Sequence, residues 1–202
     1  MTITYSYGNS LYVNITNRCS NRCDFCVRTQ ADGFYSDNLW LEREPAREEI
    51  LAAIKSENPV RYDSIVFCGY GEPTERLDDM LFVCRELKKE YRIPIRLNTN
   101  GQSDLINRRR TAPEFRDALD TVSISLNAPS AEGYDAICHP IFGENVFRAI
   151  LDFASDVRQF VPSVLFSVIR GTIPDSDIEK CRLIAEKYGV MLRVRDYIKE
   201  NR

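Results

Sequence analysis

The chain has 202 residues, of which 44% are hydrophobic and 28% charged, and its formal net charge is −3. This is the composition of an ordinary globular protein, and it lacks the positive charge typical of nucleic-acid-binding proteins, so we do not expect nucleic acid as a partner. No apolar run approaches the ~18 residues that a transmembrane helix needs, and residues 1–10 do not resemble a signal peptide. We therefore expect a cytoplasmic protein without membrane contact, built as a single domain over residues 1–202.

Short runs rich in β-branched residues alternate with longer amphipathic segments along the chain. The predicted strands are 11–16, 64–69, 93–98, 121–126, 164–170 and 190–194. The predicted helices are 45–56, 77–91, 112–119, 144–158 and 175–188. This βαβ series indicates parallel strands joined by right-handed crossovers. A complete (β/α)8 barrel needs about 250 residues. Six predicted strands therefore favour an α/β fold of the incomplete (β/α)6 barrel type, with an open doubly wound sheet as the alternative.

Polar and glycine-rich residues follow the predicted strands. In either architecture ligands bind where the strands end, at their carboxyl ends. The residues found there are Asn17, Gly69 to Gly71, Asn98 to Gly101, Asn127 and Gly171. We expect them to form one site.

Three of the seven cysteines, Cys19, Cys23 and Cys26, follow the first predicted strand with the spacing C-x3-C-x2-C. Thiolates are soft ligands that favour iron–sulfur clusters and zinc, and three of them leave one iron of a four-iron cluster free of protein ligands. Three alternatives stay open: one buried face of a helix, a structural zinc site, and a non-catalytic iron–sulfur or electron-transfer module. The helix face suits the spacing i, i+4, i+7, but the intervening residues are polar. Zinc and ferredoxin-type sites commonly use four ligands, and no fourth stands at a matching spacing.

The triplet with Phe25 reads C-x3-C-x-aromatic-C, which resembles the signature of the radical S-adenosylmethionine (SAM) superfamily. The resemblance implies one [4Fe–4S] cluster on Cys19, Cys23 and Cys26, with SAM bound to the free iron. It also implies reductive cleavage of SAM to a 5′-deoxyadenosyl radical, which abstracts hydrogen from a substrate that the sequence leaves unidentified. In relatives the aromatic residue, here Phe25, lies beside the adenine.

Other segments are similar to further elements of the same family. Gly69-Tyr70-Gly71-Glu72-Pro73 resembles its GGEP element, which implies that Gly69, Tyr70, Gly71 and Glu72 hold the methionine amino group. A glycine here lets backbone approach a ligand closely because it has no Cβ. Similar strand ends in the family contact the ribose and the methionine carboxylate, which implies these roles for Asn98, Thr99, Ser125 and Asn127. Arg170 could pair with the SAM carboxylate.

The segments Cys26-Val27-Arg28 and Cys138-His139-Pro140 resemble small radical SAM proteins associated with TatD-type hydrolases. That resemblance implies a TatD-type hydrolase as a possible partner, and the chemistry requires an external electron donor. A six-stranded barrel also leaves an open side, which we expect a large substrate, such as a peptide or protein, or a partner protein to cover. Residues 28–41 form the long segment that could act as a lid.

Overall fold

The computed structural model describes residues 1–29, 38–143 and 145–196. Seven strands form one sheet and follow each other in chain order across it. They are β1 (Thr4–Tyr7), β2 (Ser10–Val13), β3 (Ser64–Phe67), β4 (Ile95–Thr99), β5 (Thr121–Ser125), β6 (Ser163–Ile169) and β7 (Met191–Arg195). The helices are α1 (Arg47–Ser56), α2 (Leu77–Glu90), α3 (Ser103–Asn107), α4 (Ala131–Cys138), α5 (Val146–Val157) and α6 (Asp175–Lys187).

The six strands from β2 to β7 are parallel, as predicted, and the sheet is not closed because β1 and β7 lie at its two ends. This confirms the incomplete (β/α)6 barrel. The sequence prediction omitted β1, which pairs with β2 as an antiparallel hairpin. It reads Thr-Tyr-Ser-Tyr and only Tyr5 is buried, so it lacks the run of apolar residues that marked the other strands.

All the helices that bury large side chains pack on one face of the sheet. Val13, Phe67 and Leu97 occupy neighbouring positions in the register, and all three are fully buried in the main core. Alternate residues of the same strands point to the other side. We call this other side the inner face, and it carries Tyr12, Arg96, Asn98, Ser123, Ser125, Ser167, Arg193 and Arg195. The inner face therefore carries many polar residues, beside the apolar Val66, Leu165 and Ile169, while the outer face forms the core.

Local sequence explains the start of α1 and the buried face of α5. At α1, the Glu49 carboxylate accepts a hydrogen bond from the backbone N–H of Ala46 at 2.7 Å, so it satisfies one of the free donors before the helix. In α5, Phe147, Ile150 and Ala154 recur at helical spacing and are buried against the sheet. No helix in the described ranges is long and apolar enough to span a bilayer.

Three helical assignments differ from the prediction. Residues 112–119 do not form an α-helix but a short 3-10 turn, Ala112–Phe115, and Asp117 adopts a left-handed φ of 59° that is incompatible with a continuing helix. The prediction also missed α3 and α4. The predicted start of α5 at residue 144 lies outside the described residues.

Gly101 gives a test of how tightly the end of β4 packs against the core. It has a φ of +79°, and an added Cβ would lie 2.8 Å from Ile124 Cγ2 and 3.1 Å from Ile150 Cγ2. Gly8, in the β1–β2 turn, has a similar φ of +56° but nothing within 4 Å of that position. Both alanine variants incur the left-handed strain of about 1–2 kcal/mol. Only Gly101→Ala adds overpacking. Its free energy of unfolding in urea should therefore fall by a further ~1–3 kcal/mol. Equal losses in the two variants would contradict this packing.

Candidate functional site

Glu72 lies at the centre of the hydrogen bonds that join the carboxyl ends of β3 and β4. Its side chain is buried, and its Oε1 accepts from the backbone N–H of Thr74 at 3.1 Å, from the Thr74 hydroxyl at 2.8 Å and from the Thr99 hydroxyl at 2.7 Å. Its Oε2 accepts from the backbone N–H of Asn100 at 2.7 Å. Burial raises the pKa of Glu72, and the four donors oppose that shift because they stabilise the carboxylate. The two strand ends are thereby fixed to each other.

The same network continues into the segment that carries the cysteines. The Asn100 side chain donates to the Ser20 hydroxyl at 2.8 Å. Asn21 donates to the Tyr134 hydroxyl at 2.8 Å and accepts from the Gln102 amide at 2.7 Å. Ser20, Asn21, Asn100, Gln102 and Tyr134 are all buried. Gln102 Oε1 is buried and has no partner among the described residues, but the other hydrogen bonds hold these buried groups together, so the network positions the cysteine segment against β4 and α4.

The cysteine segment is a loop in the structure, which excludes a buried helix face as the reason for the cysteine spacing. Its backbone is held by the carboxyl end of α4: Arg22 N–H donates to the Cys138 carbonyl at 2.9 Å, and Asp24 N–H donates to the Ile137 carbonyl at 3.0 Å. Ser20 in turn accepts at its carbonyl from Ile141 N–H at 3.0 Å. The loop therefore has a defined shape that does not depend on a regular element of its own.

The three thiols of this loop suit a thiolate-bound cluster. Cys19, Cys23 and Cys26 are each partly accessible. Burial raises the pKa of the Cys19 thiol to about 12, and it also raises the pKa of Cys26. The positive charge of Arg28 opposes these shifts, because it stabilises the thiolate form of both cysteines. Within the described ranges, no group of three or more His, Cys, Asp or Glu side chains is arranged to hold a single metal ion.

A fourth cysteine lies beside the loop, although its distance in sequence gave no indication of this. Cys138 is fully buried and forms a hydrogen bond with Cys23, which together with burial raises the pKa of the Cys23 thiol. The Asn127 amide donates to Cys138 Sγ at 3.3 Å, and Asn127 adopts a left-handed φ of 58°. The predicted site residue Asn127 is thus connected to the cysteine loop through Cys138.

The two glycines of the Gly69–Gly71 element face the protein's own chain. A Cβ on Gly71 would lie 2.3 Å from the Thr16 carbonyl oxygen and 2.6 Å from the Arg18 carbonyl oxygen. A Cβ on Gly69 would overlap the Asn14 side chain. Glu72 N–H also donates to the Arg18 carbonyl at 2.8 Å. Gly71 therefore allows the segment after β3 to approach the backbone that leads into the cysteine loop. From the sequence, the glycine was expected to make room for a ligand instead.

The remaining predicted site residues lie in three different places. Asn98 forms a hydrogen bond with Cys68, and Asn98 and Ser125 both lie on the inner face. Phe25 packs against the main core, and Tyr70 is buried beside Tyr5 and Leu39. Arg170 is exposed, with its guanidinium 3.7 Å from Asp175 and 3.6 Å from Asp196, so the structure does not bring it to the Glu72 network.

The segment that follows the cysteine loop returns to the end of β2. Asn17 donates to the Leu41 carbonyl at 2.8 Å and accepts from Leu41 N–H at 3.1 Å. The Asn14 amide donates to the Leu39 carbonyl at 2.7 Å, and the Trp40 ring lies 5.2 Å from the Tyr70 ring. Residues 30–37 of the predicted lid lie outside the described residues. Asn17, expected as part of the strand-end site, thus fixes the end of that segment.

The sequence model of the radical SAM superfamily matches residues 13–183, which include the cysteine loop, the Glu72 network and strands β3 to β6. The chain belongs to the radical SAM superfamily. Members of this superfamily use a [4Fe–4S] cluster and SAM, which agrees with the donor set of the cysteine loop.

Comparison with individual proteins gives relatives and solved structures that match most of this chain. The chain is 28% identical over 186 residues to a probable GTP 3′,8-cyclase of Thermococcus kodakarensis, covering 92% of this chain and 55% of that protein. Streptococcus suis SuiB bound to its precursor peptide SuiA has a TM-score of 0.68 at 17% identity, covering 96% of this chain and 40% of SuiB. The structure of SuiB bound to SAM has a TM-score of 0.67 at 17% identity, covering 96% of this chain and 42% of SuiB. The chain spans about half the length of these relatives, and the two structures show a shared fold.

Gly71→Ala should impair assembly of the cluster site rather than only ligand access. Its Cβ would meet backbone atoms of residues 16 and 18, which cannot move aside as a flexible side chain can. We expect folded Gly71→Ala protein to retain less than about half of the wild-type iron after anaerobic reconstitution, measured by iron analysis alongside circular dichroism. Gly8→Ala, remote from the loop, serves as the control and should load fully. Full iron loading of Gly71→Ala would show that the loop tolerates the added methyl group.

Glu72→Gln tests the hydrogen-bonded centre directly. All four neighbouring groups donate to the carboxylate, so a glutamine amide would direct its N–H toward at least one donor. We expect the free energy of unfolding in urea to fall by about 1–3 kcal/mol. Glu186→Gln, which makes the same change on an exposed position of α6, should alter it by less than about 0.5 kcal/mol. If both variants were equally stable, Glu72 would not have the role assigned to it.

Proposed function

We propose that this chain is a radical SAM enzyme whose [4Fe–4S] cluster is bound by Cys19, Cys23 and Cys26. The observation that carries this proposal is the cysteine loop, in which three thiols lie beside Arg28 and are fixed by buried hydrogen bonds to β4 and α4. When bound, the cluster and SAM together supply a 5′-deoxyadenosyl radical by one-electron cleavage of the sulfonium, and this radical removes a hydrogen atom from the substrate.

The residues of the chain would bind and orient SAM beside the loop. We assign the backbone of residues 69–71 to the methionine amino group, with Phe25 at the adenine. Glu72 has a positioning role, since Oε1 already accepts three hydrogen bonds, and Oε2, which accepts one, retains a lone pair for an ammonium group. We assign Asn98 and Ser125, on the inner face, to the ribose and carboxylate. Thr99 and Asn127 support this arrangement through Glu72 and Cys138.

The open side of the sheet requires a cover, because radical chemistry needs water and stray hydrogen donors to be excluded. We propose that a large substrate, such as a peptide or protein, or a partner chain supplies it. The open edges at β1 and β7 support this, as does the fold shared with SuiB, which has been observed with its precursor peptide. A TatD-type hydrolase is a candidate partner, and an external electron donor supplies the reducing electron.

Anaerobic reconstitution tests the proposed function. The wild-type protein should bind close to four irons per chain and form 5′-deoxyadenosine when it is reduced in the presence of SAM. Cys19→Ala, Cys23→Ala and Cys26→Ala should each lose the cluster absorbance and the product. Cys84→Ala and Cys181→Ala remove buried cysteines from α2 and α6. These two variants should retain the cluster absorbance and the formation of 5′-deoxyadenosine.

Two results would refute this function. The first is tight binding of zinc in place of iron. The second is the absence of 5′-deoxyadenosine from protein that carries a full complement of iron. Either would favour a metal-binding or electron-transfer module.

A further inference from the structure

Three arginines lie on the inner face, away from the helices. Arg96 stands in register with Val66 and, through it, with Tyr12. Arg193 is in register with Ser167, and Arg195 with Ile169. Arg193 and Arg195 are two residues apart on one strand, so they point to the same side. All three therefore project from the same surface of the sheet.

The curvature of the sheet brings β4 and β7 to a common region. Arg96 donates to the Tyr12 hydroxyl at 3.1 Å. Burial raises the pKa of Tyr12, and the charges of Arg96, Arg195 and Arg193 act on that hydroxyl in the opposite direction. Arg195 and Arg96 act in the same way on Cys68, at the end of β3. Charges from β4 and β7 thus converge in front of β2 and β3.

None of these three arginines has an acidic partner in the described part of the chain. The ion pairs formed there use other arginines, such as Arg76 with Asp79, Arg109 with Asp78, and Arg110 with Asp156. Moreover, Nε of Arg96 and Nε of Arg195 are buried and have no hydrogen-bond partner among the described residues. A buried charged donor without an acceptor is costly, and such groups commonly mark the place of a ligand.

The ligand that suits these donors is an oxyanion of high charge. Guanidinium groups bind phosphate through paired N–H donors, and three of them match a group with several negative charges better than a single carboxylate. SAM fits poorly as the ligand, because it carries a positive sulfonium beside its ammonium and its single carboxylate. A polymer backbone also fits poorly, because the two unpaired Nε atoms are buried.

We propose that Arg96, Arg193 and Arg195 bind a phosphate or oligophosphate group of a small-molecule substrate on the inner face. The assignment of this ligand as the substrate rests on the proposed function, and the covering partner then encloses a small phosphorylated compound.

Tripolyphosphate is the probe that tests this site on the reconstituted full chain. Calorimetric titration without reductant should give saturable 1:1 binding in both the absence and the presence of SAM. Arg96→Gln and Arg195→Gln should each weaken it about tenfold or more, as expected for loss of a charge-assisted hydrogen bond. Arg92→Gln removes the same charge from an exposed residue four positions before Arg96 and should change the affinity less than about twofold.

Thermal unfolding gives an independent readout of the same arginines. Without an anion, Arg195→Gln should melt at or above the wild-type temperature, because it removes an unpaired buried donor. With saturating tripolyphosphate the wild type should melt higher than Arg195→Gln. Arg92→Gln should follow the wild type in both conditions.

Three results would overturn the proposal. One is an affinity for tripolyphosphate that Arg96→Gln and Arg195→Gln alter no more than Arg92→Gln does. Another is equally tight binding of citrate, which would identify a carboxylate ligand such as an acidic peptide. The third is a loss of SAM affinity in these variants with unchanged tripolyphosphate binding. Because no SAM cleavage is needed in these titrations, their outcome is separate from the test of the proposed function.

Discussion

A carboxylate removed from water must be compensated, and the compensation of Glu72 organises the site. Its four donors come from residues just after β3 and at the end of β4, so the charge can be buried only when these two segments are in register. The same segment then extends through Asn100 to Ser20 in the cysteine loop. Each link in this series is buried, and breaking one would leave a polar group unpaired. The position of the thiols therefore follows from the requirements of one carboxylate.

The approach of the chain segments depends equally on the absence of a side chain. Gly71 lets the residues after β3 lie against the carbonyl groups of Thr16 and Arg18, and Glu72 N–H uses that contact to donate to Arg18. The hydrogen bonds of Glu72 thus hold the carboxyl ends of β3 and β4 together, while Gly71 sets the distance from β3 to the cysteine loop. A conformational constraint and an electrostatic one act on adjacent residues.

Much of this architecture could be predicted because it depends on local patterns. The parallel strands are short apolar runs, and the cysteine spacing resembles a family signature, so both were found without tertiary information. The hairpin strand β1 was missed because it has no run of apolar residues, and the helix predicted at 112–119 was wrong because Asp117 turns to positive φ. The contact of Cys138 with Cys23 and the orientation of Gly71 could not be predicted, since each joins segments that are distant in sequence. The same holds for Arg96 and Arg195, which converge only because the sheet curves.

The charges of the site are distributed in a way that suits two different ligands. Glu72 and the thiol loop lie at the strand ends, where the carboxylate and, with a cluster bound, the cysteine thiolates would favour the cationic sulfonium and ammonium groups of SAM. The three arginines that lack an acidic partner among the described residues lie on the inner face, where they favour an anion. Between them the inner face carries neutral polar residues, including Asn98, Ser123 and Ser167. An anionic substrate is repelled by thiolates and attracted by guanidinium groups, so this separation orients it with its charged group away from the cluster loop. The uncharged part of such a substrate would then face the cluster loop, where SAM is proposed to bind.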